Sequence, residues 1–340
     1  MQKPTFAITR GVNISHWLSQ SKARGLQRRE FFLRDDVSNI AAWGFDHLRL
    51  PVDEEQLWLE DGSRDPEAFE LLENGLLWAR EAGLRVVVDL HILRSHHFLD
   101  KDPPLYRDPA EERRFVGLWE DLADALAAHA PDQVAFELLN EAVAKDHEDW
   151  NRVAHAAHTA IRQRQPDRFI VLGSNRFCQC ITFPHLRVPD DERTILTFHY
   201  YNPMLVTHYT ASWIGPLRHY NGPIDYPGDL VPKEAFQAQP KELQEHMELH
   251  GIRFDQEAMR KDFALPLAVR KQTGLPLYCG EFGVFQACPD PVRIRWYRDI
   301  LALFHEHNIA FANWDYRGSF GIVDKNREPT AILDVLRETP

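Results

Sequence analysis

The run VAFELLNEA, Val134–Ala142, decides the fold. It is apolar, too short for a helix and long enough for a buried strand, and it carries Glu141 near its C-terminal end. A second run, PLYCGEFGV at Pro276–Val284, has the same character and carries Glu281 in its second half. Each reads as a buried parallel strand with a carboxylate at its C-terminal lip. If the two strands share one barrel, the carboxylates face each other across one pocket. Retaining glycoside hydrolysis needs that arrangement.

Working outward, strand-like runs alternate with amphipathic helical patterns. The strands are predicted at Ile8–Ser15, His47–Val52, Arg85–Ile92, Val134–Glu141, Phe169–Ser174, Thr194–Tyr201, Pro276–Gly283 and Ile309–Tyr316. Helical periodicity covers Arg29–Trp43, Pro66–Ala82, Glu111–His129, His147–Gln165, Phe254–Lys271, Pro291–Glu306 and Thr330–Glu338. This alternation predicts an α/β fold, a (β/α)8 TIM barrel in a single domain over residues 1–340. A doubly wound open sheet would usually carry a Gly-rich phosphate turn after an early strand, and none is present. Residues 202–242 break the rhythm. They are rich in Pro, Gly, Tyr and His, contain Trp213, and read as a long loop insertion after strand six.

The 340 residues carry a formal net charge of -12, which argues against a nucleic-acid or anionic-membrane partner. No run is long and apolar enough to span a bilayer. Four cysteines, Cys178, Cys180, Cys279 and Cys288, are too few for a disulfide framework and read as free thiols. The opening MQKPTFAITRGVNIS lacks the basic-then-apolar pattern of a secretory signal. The expected compartment is therefore cytoplasmic, or secreted or periplasmic if a signal has been removed.

Polar residues cluster where the predicted strands end. Strand one ends in Asn13, Ser15 and His16, followed by Trp17, and strand two carries Arg49. Strand three ends in Asp89 and His91, and strand four in Asn140 and Glu141. Strand six ends in His199, Tyr200 and Tyr201, strand seven carries Glu281, and strand eight ends in Asn313, Trp314 and Asp315. One buried polar group is commonly just satisfied in the core. Seven strands ending this way predict a site at one face of a barrel. Glu137 shares the parity of Glu141 but sits roughly 13 Å deeper at about 3.3 Å per residue, so it reads as a structural carboxylate, hydrogen-bonded or ion-paired, with Arg49 or another interior cation a candidate partner.

These motifs together resemble glycoside hydrolase family 5, the cellulase family with a (β/α)8 barrel. The matching stretches are GVNISHW, HLRLPV, VVVDLH, FELLNE, LTFHYYNP, YCGEFG and NWDYRGSFGI, in order and nearly end to end. The resemblance implies that Glu141 is the general acid/base and Glu281 the nucleophile. It also implies that Arg49, His91, Asn140, His199, Tyr201 and Trp314 occupy the other active-site positions. It tightens at HILRSHH, with His96 and His97, and at NPMLVTHYTASW, which both look like bacterial endoglucanases of this family, some of which also cleave mannans. The family commonly has Asn-Glu-Pro, whereas Ala142 follows Glu141 here, and Cys279 stands before Gly280-Glu281.

The implied activity is retaining endo-β-1,4-glycanase action on internal bonds of cellulose or mixed-linkage β-glucan. The alternative is an endo-β-1,4-mannanase or a mixed glucanase/mannanase. Arg49 and the Tyr201 hydroxyl are expected to keep Glu281 ionised. Asn140 is expected to bond the sugar 2-hydroxyl. Trp314 offers a flat apolar face to a pyranose, and Trp17, Trp213 and Tyr316 extend that platform. The expected partner is a β-linked polysaccharide or oligosaccharide, with no nucleic acid, no membrane, no cofactor and no metal, and the protein is expected to be a monomer. Two rivals compete with this reading. One is a metal-dependent barrel hydrolase using His91, His96, His199 and Asp315, for which no close ligand pair is present. The other is a carbohydrate-binding barrel that has lost catalysis, against which both carboxylates stand intact.

Overall fold

The computed structural model describes residues 5–338. Residues 1–4 and 339–340, the ends of the span expected as one domain, lie outside the described residues. Eight strands close into a parallel barrel: β1 (Arg10–Asn13), β2 (His47–Val52), β3 (Arg85–Leu90), β4 (Val134–Glu137), β5 (Phe169–Gly173), β6 (Thr194–Tyr200), β7 (Leu277–Phe282) and β8 (Ala310–Asn313). Neighbours in the chain are neighbours in the barrel, and β8 closes it onto β1. The protein is a (β/α)8 TIM barrel, as predicted. Among the described residues no helix is long and apolar enough to cross a membrane.

The strand cores were legible, but several ends were not. β4 stops at Glu137, four residues before Glu141, and β8 stops at Asn313, before Trp314. In both places the apolar run continues after ladder pairing ends, because the chain turns there into loops. The helix expected over Arg29–Trp43 is two, Leu26–Arg29 and Arg34–Ala42. Leu33 is extended between them, and its N–H is capped by Asp36 Oδ2 at 2.8 Å. The helix Pro66–Glu81 starts where local chemistry says it should. Asp65 accepts the Ala68 N–H and proline occupies the first turn.

The chain divides into two compact units. One runs from the start of the described residues to His199, with Leu265–Gly280 and Ala310–Ala312. It contains most of every barrel strand. Its floor is apolar: Phe6, Val87, Ala135, Val171, Ile195, Tyr278 and Ala312 cluster together, fully or nearly buried. Two residues further along the strands, alternation brings Asp89, Glu137, Gly173, Thr197 and Gly280 to the same interior. Gly280 is a close approach, since a Cβ there would lie 2.9 Å from Thr197 Oγ1 and 3.2 Å from His199 Nε2.

The other unit comprises Tyr200–Ala264, Glu281–Ile309 and the chain from Asn313 onward. Phe282 packs on Trp296, Tyr297 and Phe304. Tyr200 and Asn202 both donate to Asp262 Oδ2, at 2.8 and 2.9 Å. Residues 202–242 are not the featureless loop expected. They hold helical turns at Met204–Thr207, Gly215–His219 and Lys233–Gln237, and Gly228–Asp229 pairs antiparallel with Arg253–Phe254. These pieces are each shorter than the window in which a hydrophobic period can be read.

Candidate active site

Above the apolar floor lies a charged layer built around Arg49, which is fully buried. Its guanidinium donates to both carboxylate oxygens of Glu137, at 2.8 and 3.0 Å, and lies 3.0 Å from Asp89 Oδ2. It also donates to Asn13 Oδ1 at 2.9 Å and to Asn140 Oδ1 at 3.0 Å. Glu137 is thus a structural carboxylate, as the sequence indicated, and it is ion-paired. One cation facing two carboxylates is an unbalanced cluster, and burial pushes both Asp89 and Glu137 up to about 7. Arg49 opposes that rise in each case.

Because Arg49 takes the Asn140 carbonyl oxygen, the Asn140 amide nitrogen is left as the donor end of that side chain. His91 is oriented from both sides. Gln20 Nε2 lies 2.9 Å from its Nε2, and Asp89 Oδ2 lies 2.6 Å from its Nδ1. An amide nitrogen only donates, so Nε2 accepts and Nδ1 carries the proton toward Asp89.

Glu141 sits in the loop after β4 at φ +43°, a conformation that costs a non-glycine residue about 1 kcal/mol or more. Its side chain is 13% exposed, and Oε1 lies 2.9 Å from His199 Nδ1. Burial holds the His199 imidazole well below its usual range, with Arg49 and His91 adding to the effect. This contact is therefore a hydrogen bond to a neutral ring rather than an ion pair.

Glu281 is the fifth residue of β7, is 5% exposed and accepts the Tyr201 hydroxyl at 2.9 Å. Tyr201 packs edge-on to His208 and Phe320, with ring centres 5.1 and 6.1 Å apart. Phe320 in turn meets Phe285 at 5.6 Å, and Trp213 caps the group, edge-on to Phe285 at 5.2 Å. Trp213 is 46% exposed, so an aromatic wall runs from the donor of Glu281 out to solvent. Burial holds His208 down at about 4, keeping it neutral within that wall.

Arg49, Asn140, His91, Glu141 and His199 thus come together in the barrel unit. Tyr201, Glu281 and Trp213 come together in the other, where Trp314 is nearly buried and donates its N–H to Phe282 O. Three aromatic or histidine assignments are corrected. Trp17 has no exposed surface and cannot be a platform, because it packs at a tilt against Phe32 and its indole N–H bonds Arg28 O at 2.9 Å. Tyr316 is buried as well. His96 is fully buried, with Nε2 3.3 Å from Asn140 O and Nδ1 3.1 Å from Tyr106 Oη, so it faces the backbone and not a sugar. His97 is only partly buried; it stacks on Phe98, and its Nδ1 accepts the Leu99 N–H.

Of the groups named for a metal site, His91 and His96 spend both ring nitrogens as above, and Asp315 accepts the Gly318 N–H. All four cysteines are buried free thiols. Sequence reasoning missed Gln20, Tyr106, His208 and Phe320. None stands at the end of an apolar run, which was the signal used.

A closed parallel barrel with buried carboxylates and oriented histidines at its strand ends is a frame that glycoside hydrolases use. The chain belongs to the family described as cellulase (glycosyl hydrolase family 5), which matches residues 13–319. It is 32% identical over 326 residues to Endoglucanase C of Acetivibrio thermocellus, covering 94% of this chain and 95% of that one. Cellodextrinase A of Ruminococcus flavefaciens is 28% identical, covering 89% of this chain and 84% of its own. Among solved structures, endoglucanase Cel5A of Thermotoga maritima superposes with a TM-score of 0.78 at 23% identity, covering 98% of this chain and 97% of that one.

Proposed function

We propose that this glycoside hydrolase is a retaining endo-β-1,4-glucanase in which Glu141 is the acid/base and Glu281 the nucleophile. The observation that carries the assignment is the contrast between the two glutamates. Glu281 accepts a hydroxyl donor from Tyr201, a bond that favours a charged carboxylate against the burial that opposes it. Glu141 is more exposed and shares one oxygen with a neutral histidine. With Nδ1 protonated, His199 donates to Glu141 Oε1. The relatives named endoglucanase and cellodextrinase support a β-glucan substrate.

In the first step the Glu281 carboxylate attacks the anomeric carbon and the glycosidic C–O bond breaks, while Glu141 protonates the leaving oxygen. In the second step water attacks the glycosyl ester. Glu141 takes its proton, and Glu281 leaves as carboxylate. Asn140, its oxygen held by Arg49, offers its amide N–H groups to the sugar 2-hydroxyl. Trp314 and Trp213 stack on pyranose faces. Arg49 holds Asn140, His91 meets Asp89 and His199 meets Glu141, so these three orient their neighbours. The protein works as a monomer and as a single catalytic domain.

Glu281→Gln and Glu141→Ala are each expected to cut turnover by roughly a thousandfold or more with the fold intact. Proton NMR of the first product should give the β-anomer, and an α-anomer rules out retention. Products from carboxymethylcellulose, barley β-glucan, glucomannan and mannan decide the substrate. Cleavage of mannans alone overturns the glucanase reading.

A further inference from the structure

Glu141 occupies a left-handed turn without a glycine, and no proline follows it, so something else must hold the turn. A buried relay spans it. The Val143 N–H donates to Tyr106 Oη at 3.1 Å, and the Tyr106 hydroxyl lies 3.1 Å from His96 Nδ1. On the other side of the ring, His96 Nε2 meets Asn140 O at 3.3 Å. The relay thus joins the amide of residue 143 to the carbonyl of residue 140, on either side of Glu141-Ala142.

The next residues are pinned as well. Asn175 closes a two-bond clasp on Ala144, accepting its N–H and donating to its carbonyl, both at 2.9 Å. The Phe177 N–H bonds Ala142 O at 3.1 Å. Burial lowers His96 to about 3, so its ring is neutral, with one nitrogen accepting and one donating. Burial also keeps Tyr106 protonated. Every proton in the relay therefore has a defined direction.

We propose that Tyr106 and His96, with Asn175, are positioning residues that hold the backbone of Glu141 so that its carboxyl meets the glycosidic oxygen. The proposal rests on the reading of Glu141 as the acid/base. None of the three need touch substrate.

In the intact enzyme, Tyr106→Phe removes the hydroxyl and keeps the ring. Turnover of cellotetraose is expected to fall about tenfold to a hundredfold, with KM within about twofold of wild type. The burst of dinitrophenol from 2,4-dinitrophenyl β-cellobioside, whose leaving group needs little protonation, is expected to stay within about threefold. His96→Gln, which keeps a donor near the position of Nε2, should retain more cellotetraose activity than His96→Leu. If Tyr106→Phe does not fold, judged by circular dichroism, the two His96 variants carry the test. Equal loss on both substrates, no loss on either, or His96→Gln no better than His96→Leu overturns the positioning role. Glu141→Ala assayed with azide tests the reading beneath it. A β-glycosyl azide product upholds Glu141 as acid/base, so a uniform Tyr106→Phe loss then overturns positioning alone. No azide product overturns both.

Discussion

Two tryptophans that look alike in sequence do opposite work, and the difference is measurable. Trp17 follows a strand-end polar cluster and Trp213 lies in a loop, yet only Trp213 presents a face to solvent. Trp17 fills the space between Phe32 and Gly75 and satisfies its indole N–H on Arg28 O. Trp17→Ala should therefore destabilise the protein by about 3–5 kcal/mol and leave KM for cello-oligosaccharides unchanged. Trp213→Ala should raise KM while thermal stability stays near wild type. The opposite pattern, a large stability loss for Trp213 and a KM effect for Trp17, would overturn both assignments. The sequence held no signal separating the two. Solvent exposure depends on which elements cover a side chain, and for Trp17 the cover comes from residues 15 and 58 positions away.

At the scale of the strands, the layer above the barrel floor sets a pH dependence. Asp89 on β3 and Glu137 on β4 are paired in register and share one arginine from β2. Their folded-state values are raised to about 7 from the ordinary carboxylate range, burial being the first cause. The folded protein therefore binds more protons than the unfolded chain between those limits. The stability this pair contributes is complete at low pH and is lost as pH rises through about 7. Thermal midpoints should fall between about pH 5 and about pH 8, and Glu137→Gln should flatten that slope. An unchanged slope in Glu137→Gln sinks the assignment. Strand alternation made Glu137 recognisable as interior and paired. The contacts of Arg49 could not be read that way, because a guanidinium reaches across strands and sequence periodicity runs along them.

For the whole molecule, the boundary between the two compact units falls inside β6, β7 and β8, so neither unit can be excised without cutting a strand. Unfolding by heat or denaturant is expected to give one cooperative transition by both far-ultraviolet circular dichroism and tryptophan fluorescence. Two separated transitions would refute a single catalytic domain. Sedimentation should return the mass of one chain, and a concentration-dependent larger mass refutes the monomer.

The sequence by itself determined the barrel and its strand cores, and it singled out both glutamates as candidates. Buried parallel strands are local apolar runs, and a charged residue at the end of one stands out against them. The turn that carries Glu141, the relay of Tyr106 and His96 that spans it, and the burial of Trp17 were decided only by tertiary structure. Those features depend on hydrogen bonds and coverage between residues tens of positions apart, which leave no period in the chain.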